Sequence, residues 1–188
     1  MQTRDEILKM KAAMLYIINK VDSIDTLHLF KILYFADREH LAKYGRHIIH
    51  DDFRAIDMGP IPSCIYSAIK VVQGKNRPED YSSLEDLFNS IEISDRLHYV
   101  IKAKEQPDMD ELSVSDVKCL DDSFEENRLV DTYDLSKKSH DYAWCKARDG
   151  GYSNNPSMNT LDIARAGGAS DAMLEYIKES EIVDSILR

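Results

Sequence analysis

At 188 residues, 43% hydrophobic and 31% charged, the chain has the size and composition of one soluble globular domain with its own core. Its formal charge of −10 repels phosphate backbones and anionic lipid, which disfavours nucleic-acid and membrane partners and favours a basic protein. No run approaches the roughly 18 apolar residues that span a bilayer, and MQTRDEILKMK lacks a signal-peptide core, so the reading is cytoplasmic.

Thr3-Arg4-Asp5-Glu6 fits a capping box, and Ile7, Met10, Met14 and Ile17 follow at spacings of three and four. These predict an amphipathic helix over about 4–19. Asp25 is the expected N-cap of a second helix over about 26–44, with Gly45 as its left-handed stop. Stepping about 100° per residue places Leu27, Leu29, Phe30, Leu33, Tyr34, Ala36, Leu41 and Tyr44 on one half of that helix. Asp37 falls inside the arc, where an unpaired charge costs several kcal/mol, so a partner is expected from the loop around Gly59 or from Tyr66. Ile32 and Phe35 fall outside the arc, as a patch open to a partner unless another element covers them.

Residues 47–57 read as a hairpin: His47–His50, a turn at Asp51-Asp52, then Phe53–Ile56. Gly59-Pro60-Ile61-Pro62 sets the angle into a third helix that runs to about Val72. Gln73–Pro78 is a loop, Ser83–Ser90 one or two helical turns, and Arg96–Lys104 a strand that could join the hairpin sheet. Ser113 opens a helix with a Val117, Leu120, Phe124 stripe. Two short helices broken near Ser139-His140 fill 131–147, and 149–157 is a flexible loop. Asn159 and Ser170 cap two final helices over 159–187, separated by Gly167-Gly168. The expectation is a mainly helical α+β single domain with a small antiparallel sheet.

Cys64, Cys119 and Cys145 are an odd, dispersed set, expected as free and mostly buried thiols. His40, His47 and His50 near Asp51 and Asp52 are the tempting metal cluster. In an extended segment His47 and His50 face opposite sides, so no metal site and no cofactor is assigned. Asp37 and His40 share one side of a helix, a spacing more typical of structural pairing than catalysis. No catalytic residue is assigned, since nucleophile-elbow, P-loop and dinucleotide motifs are missing from the sequence. Trp144, the single tryptophan, reads as a core anchor ahead of a binding hot spot.

The segment KILYFADREHLAKYGRHIIHDDFRAIDMGPIPSCIYSAIK resembles the hallmark of the Panacea domain, the SocA-like antitoxin family also described as phage-associated proteins. The resemblance rests on Lys31, Leu33, Tyr34, Ala36, Asp37, Arg38, Glu39, His40 and Leu41, then Tyr44, Gly45 and Arg46, then Gly59, Pro60, Pro62 and Tyr66. Leu112–Asp116, Ser139-His140 and Ala143-Trp144 are similar further on, so it covers about 5–150. Met58 stands where an aromatic is more usual, and His47-Ile48 replaces the more usual residue-Pro-Ile.

The resemblance implies a non-enzymatic antitoxin that neutralises a cognate toxin by direct binding, and at least one member delivers its toxin to a protease. It supplies no catalytic residues. Ile32, Phe35, Asp51, Asp52 and Phe53 are the expected partner surface, with Phe35 or Phe53 as anchor. The rivals are a small metal-dependent hydrolase using Asp37, His40 and a nearby histidine, and a transcriptional autoregulator, against which the acidic charge weighs.

Overall fold

The computed structural model describes residues 2–95, 97, 99–150 and 153–187. Helix α1 (Arg4–Ile18) starts at the expected capping box: the Glu6 N–H donates to the Thr3 hydroxyl at 3.2 Å, and the Thr3 N–H to the Glu6 carboxylate at 2.7 Å. Helix α2 (Thr26–Tyr44) is capped by Asp25, which accepts from the His28 N–H at 3.0 Å, and stops at Gly45 with φ +69°.

Helix α2 is surrounded. Leu29, Phe30, Ile32, Leu33, Tyr34, Phe35, Ala36 and Leu41 are all buried, whereas Tyr44, inside the expected arc, is exposed. Ile32 and Phe35 therefore form no open patch. Helix α5 (Val114–Asn127) covers the first, with the Ser123 hydroxyl donating to the Ile32 carbonyl at 2.7 Å. Arg38 and Lys138 cover Phe35, at 4.8 and 5.0 Å from its ring centre.

Five short strands are described: β1 (Ile24–Asp25), β2 (Phe53–Ile56), β3 (Gly59–Pro62), β4 (Ile91–Asp95) and β5 (Val100–Ala103). They form an antiparallel sheet in the order β1-β5-β4 and a separate β2-β3 hairpin. The expected hairpin is thus displaced. Its turn is Asp57-Met58, not Asp51-Asp52, and Phe53 pairs with Pro62 and Ile56 with Gly59. Residues 47–50 are not a strand, because the Ile48 and Ile49 N–H groups donate to the Asp37 carboxylate instead of to a ladder. Both prolines lie on the outer arm, where a missing N–H is tolerated. The other edge of β2 is taken by the chain after α7: the Ala55 N–H donates to the Pro156 carbonyl at 2.9 Å, and the Met158 N–H to that of Phe53 at 2.8 Å.

The strand expected over 96–104 is shorter and does not join the hairpin. Ile101 pairs with Ile24 and Ile93 instead. Arg96 and His98, which contributed to that expectation, lie outside the described residues, as do Gly151 and Tyr152 of the expected 149–157 loop.

The remaining helices follow the sequence reading closely: α3 (Ser63–Val72), α4 (Glu85–Asn89), α6 (Thr132–Lys138), α7 (Tyr142–Gly150), α8 (Thr160–Ala166) and α9 (Asp171–Leu187). Ser113, Asn159 and Ser170 each accept a hydrogen bond from a first-turn N–H. One apolar cluster runs from Ile7 to Ile177. The three cysteines are free; Cys119 is buried, Cys64 half-buried and, against expectation, Cys145 exposed. Among the described residues no helix is long and apolar enough to cross a membrane.

Candidate functional site

The polar residues of α2 form a set of inward anchors, each tying the helix to a different element. Asp37 is fully buried. One of its oxygens accepts from the Ile48 and Ile49 N–H groups at 2.7 and 3.1 Å, and the other lies 2.7 Å from His47 Nδ1. A carboxylate is acceptor-only, so Nδ1 carries the proton. The expected partners, the Gly59 loop and Tyr66, are not used; Tyr66 packs edge-on against Phe30, with ring centres 6.0 Å apart.

The Gly59 loop is held by Lys31, whose ammonium donates to the Pro60 carbonyl at 2.7 Å. Burial pushes the Lys31 pKa down to about 7. Sequence reasoning named Lys31 as part of the motif but gave it no role. The signal was there: a lysine inside FKILYF has apolar neighbours on every side. Gly59 has φ +89°, and a Cβ there would sit 2.1 Å from the Ser139 hydroxyl and 2.9 Å from the Lys31 nitrogen, so glycine is required.

Tyr34 and Arg38 converge on Asp141, donating to the same oxygen at 2.8 and 2.7 Å. The other Asp141 oxygen accepts the Ala143 and Trp144 N–H groups at 3.0 and 3.2 Å, so Asp141 starts α7 while anchoring α2. Trp144 donates from its indole to the Ile56 carbonyl at 2.9 Å and stacks on His140, at 3.8 Å between ring centres. It ties α7 to the hairpin. His40 faces elsewhere: Nδ1 is 2.8 Å from the Arg46 carbonyl, and Nε2 is 3.0 Å from the Ser115 hydroxyl. Nε2 also lies 3.1 Å from the buried Asp116 carboxylate. Burial lowers the His40 pKa, against the Arg46 carbonyl and the Asp116 charge, which raise it. Asp37 and His40 do not pair.

Asp51 is not part of a turn tip. It is buried, and it accepts the Cys64 and Ile65 N–H groups at the start of α3, at 2.9 and 3.2 Å for its nearer oxygen. Asp52 is half-exposed, paired with Arg54 at 2.6 Å and with the Ser157 hydroxyl. Phe53 is buried against Tyr34, ring centres 5.2 Å apart. Of the five expected partner residues, Ile32, Phe35, Asp51 and Phe53 are therefore interior, and Asp52 alone presents its side chain outward. They do not form one surface.

His47 and His50 are not splayed across a sheet; their ring centres lie 5.9 Å apart. No group of three or more metal-ligating side chains occurs among the described residues. His47 Nε2 lies 3.4 Å from the Thr160 hydroxyl at the start of α8. Two open clefts, of about 450 and 640 Å³, share His47 and Thr160 on their walls. Burial alone would lower the His47 pKa, but the Asp37 charge and hydrogen bond outweigh it and hold the pKa above its ordinary value. A carboxylate, imidazole and hydroxyl in this order can activate a nucleophile. Here the hydroxyl is beyond the 2.6–3.2 Å reach typical of such a pair, and Asp37 is committed to two backbone groups. The arrangement acts as a tether from α2 through residues 46–50 to α8.

The motif thus builds a rigid platform. The model for the family described as antitoxin SocA-like, Panacea domain, matches residues 29–145, from the second half-turn of α2 into α7. Comparison with curated proteins gave no match, and comparison with solved structures gave none. With more than half of its residues matched, and with the matched segment holding Lys31, Tyr34, Asp37, Arg38, Gly59 and Asp141 in one connected frame, the chain belongs to the SocA-like antitoxin family with its Panacea domain.

Proposed function

We propose that this protein neutralises a cognate toxin by forming a stoichiometric complex with it, without chemical turnover. The observation that carries the reading is the family match over residues 29–145. The geometry supports it: the characteristic polar residues are spent on the frame, as expected of a scaffold that presents a surface. The acidic charge of −10 suits a basic partner, whose encounter would be electrostatically steered. Delivery of the toxin to a protease would be a further use of the same complex.

Co-expression with the product of the adjacent gene tests the reading, through growth rescue and co-elution of the two chains. Rescue with co-elution supports it; a demonstrably toxic neighbour that is not rescued removes it. The hydrolase alternative now has to run through Asp37, His47 and Thr160, since His40 faces away. It requires that His47→Ala abolish rescue while the complex persists. Binding without turnover requires that rescue and complex rise and fall together.

A further inference from the structure

The larger of the two clefts beside His47, of about 640 Å³, falls within the roughly 300–1,000 Å³ of small-molecule sites. One wall is the end of α2 and the chain after it, the other is α9, and Thr160 at the start of α8 also lines it. Gly45 lets the walls approach: a Cβ there would lie 2.6 Å from the Tyr176 ring. Both α8 and α9 follow the matched segment 29–145, so helices outside the shared frame complete the cleft.

The polar groups of the cleft are held in place and under-used. Asp37 fixes the His47 ring through Nδ1 at 2.7 Å and leaves Nε2 beside Thr160. That contact, at 3.4 Å, is too long to satisfy a charged N–H donor. Burial opposes the protonated ring, but the Asp37 charge and hydrogen bond favour it more. The Arg46 guanidinium is exposed, makes one long hydrogen bond of 3.4 Å to the Ser115 hydroxyl, and has no ion-pair partner among the described residues.

The other charges are few. Burial and the neighbouring His47 lower the His50 pKa, which keeps that ring neutral. Glu181 of α9 is the acid on the cleft wall. Glu6 and Lys9 of α1 also face the histidines, Glu6 at 3.8 Å from His50 Nδ1 and Lys9 paired with Asp116 at 3.1 Å. Arg46 and His47 against Glu181 suit a single negative charge, whereas a phosphate dianion would be held against Glu181 at a cost. Leu41, Tyr176 and Ile177 add an apolar lining, which calls for more than a bare anion.

We infer that this cleft binds a carboxylate carried on an apolar or aromatic body, with its oxygens at His47 Nε2 and Arg46 and its body along Leu41, Tyr176 and Ile177. A small carboxylic acid and the C-terminal carboxylate of a peptide share this chemistry. The inference is independent of the proposed function, and its test needs no toxin.

Calorimetry on the full chain measures binding of 3-phenylpropionate, inorganic phosphate, and the peptide Gly-Gly-Phe with a free or an amidated C-terminus, while NMR follows the His47 ring. At least one of the two carboxylates is expected to bind at about millimolar affinity or tighter, about fivefold or more better than phosphate, and to shift the ring signals. Tighter binding of the free-ended peptide, weakened about tenfold or more by amidation, identifies a chain end as the ligand; phenylpropionate binding at least as well identifies a small acid. Arg46→Ala should weaken binding about fivefold or more and Glu181→Gln should strengthen it, opposite signs that loss of structure would not produce. Both side chains are exposed, so the fold is retained. The site is overturned if neither carboxylate binds, if phosphate binds as well as either, if amidation leaves a tighter-binding peptide unaffected, or if either variant fails to move the affinity in its stated direction.

Discussion

The Lys31 ammonium meets the Pro60 carbonyl at 2.7 Å inside the protein, with no ion-pair partner among the described residues. A conventional lysine titrates near 10.5, and burial brings Lys31 to about 7. Between those values the unfolded chain holds a proton that the folded chain lacks, so this group makes stability rise with pH across that window. The slope it contributes reaches about 1.4 kcal/mol per pH unit. Lys31→Met should flatten it. Melting curves at pH 7, 8 and 9 check this, and an unchanged slope in the variant would contradict it.

Asp37 should be the costliest side chain of the motif to remove. Asp37→Ala strands two buried N–H groups and His47, for a loss of about 3 kcal/mol or more. His47→Ala should cost about 1 kcal/mol, and the double variant less than the sum, because both act in one network. Denaturant unfolding of the three variants measures the coupling. Strict additivity would show that the pair does not interact.

His28 lies between two acceptors, the Asp25 carboxylate at 2.6 Å and the Val130 carbonyl at 2.8 Å. Both ring nitrogens must donate, so the ring is charged. The Asp25 hydrogen bond raises its pKa, the Val130 carbonyl adds to it, and burial works against both. A group with a raised folded pKa stabilises fully below its unfolded value, near 6.5, and the benefit fades as pH rises through the folded value. NMR titration should place His28 above 6.5, and His28→Ala should remove this pH dependence. A titration at or below 6.5 would refute the charged bridge.

Two glycines with positive φ separate strain from space. Gly59 (φ +89°) faces the Ser139 hydroxyl and Lys31, whereas Gly74 (φ +72°) has nothing within 4 Å of an added Cβ. Gly74→Ala should cost about 1 kcal/mol from backbone alone. Gly59→Ala should cost clearly more, about 3 kcal/mol, since the added methyl must displace buried polar groups. Equal costs in chemical denaturation would show that crowding at Gly59 is relieved freely.

Legibility followed the range of the interactions. The Thr3, Asp25, Ser113 and Asn159 caps are hydrogen bonds within three residues, and the helices they start were readable. The hairpin was misplaced because two carboxylates reach across it: Asp37 to Ile48 and Ile49, and Asp51 to Cys64 and Ile65. Neither leaves a periodic mark. Strand β1, two residues long, pairs with a segment more than seventy residues away, so local pattern could not find it. For Ile32 and Phe35, outside the apolar arc, the pattern leaves open whether another element covers them, because a half-apolar circumference implies one buried face; residues 29–37 of α2 are in fact buried all round. Lys31, Asp141 and Thr160 gained roles only once three separate elements were brought against α2.

The role proposed for the family frame is structural, so variants in it should act through stability. Variants at Asp141, which anchors Tyr34 and Arg38 and starts α7, should lower stability by about 2–4 kcal/mol and lose toxin protection only through unfolding. Protection by Asp141→Ala at reduced temperature, where the variant stays folded, checks this. Loss of protection with a native melting curve would instead place Asp141 at the interface.

The most direct measurement is a titration of toxin activity against this protein, both purified, over molar ratios from well below one to several-fold excess. Binding without turnover requires inhibition to rise in proportion to added protein, to plateau at a fixed ratio, and to match the composition of the isolated complex. Complete inhibition at a small fraction of an equivalent, growing with time, would mean that the protein acts catalytically and would contradict the proposed function.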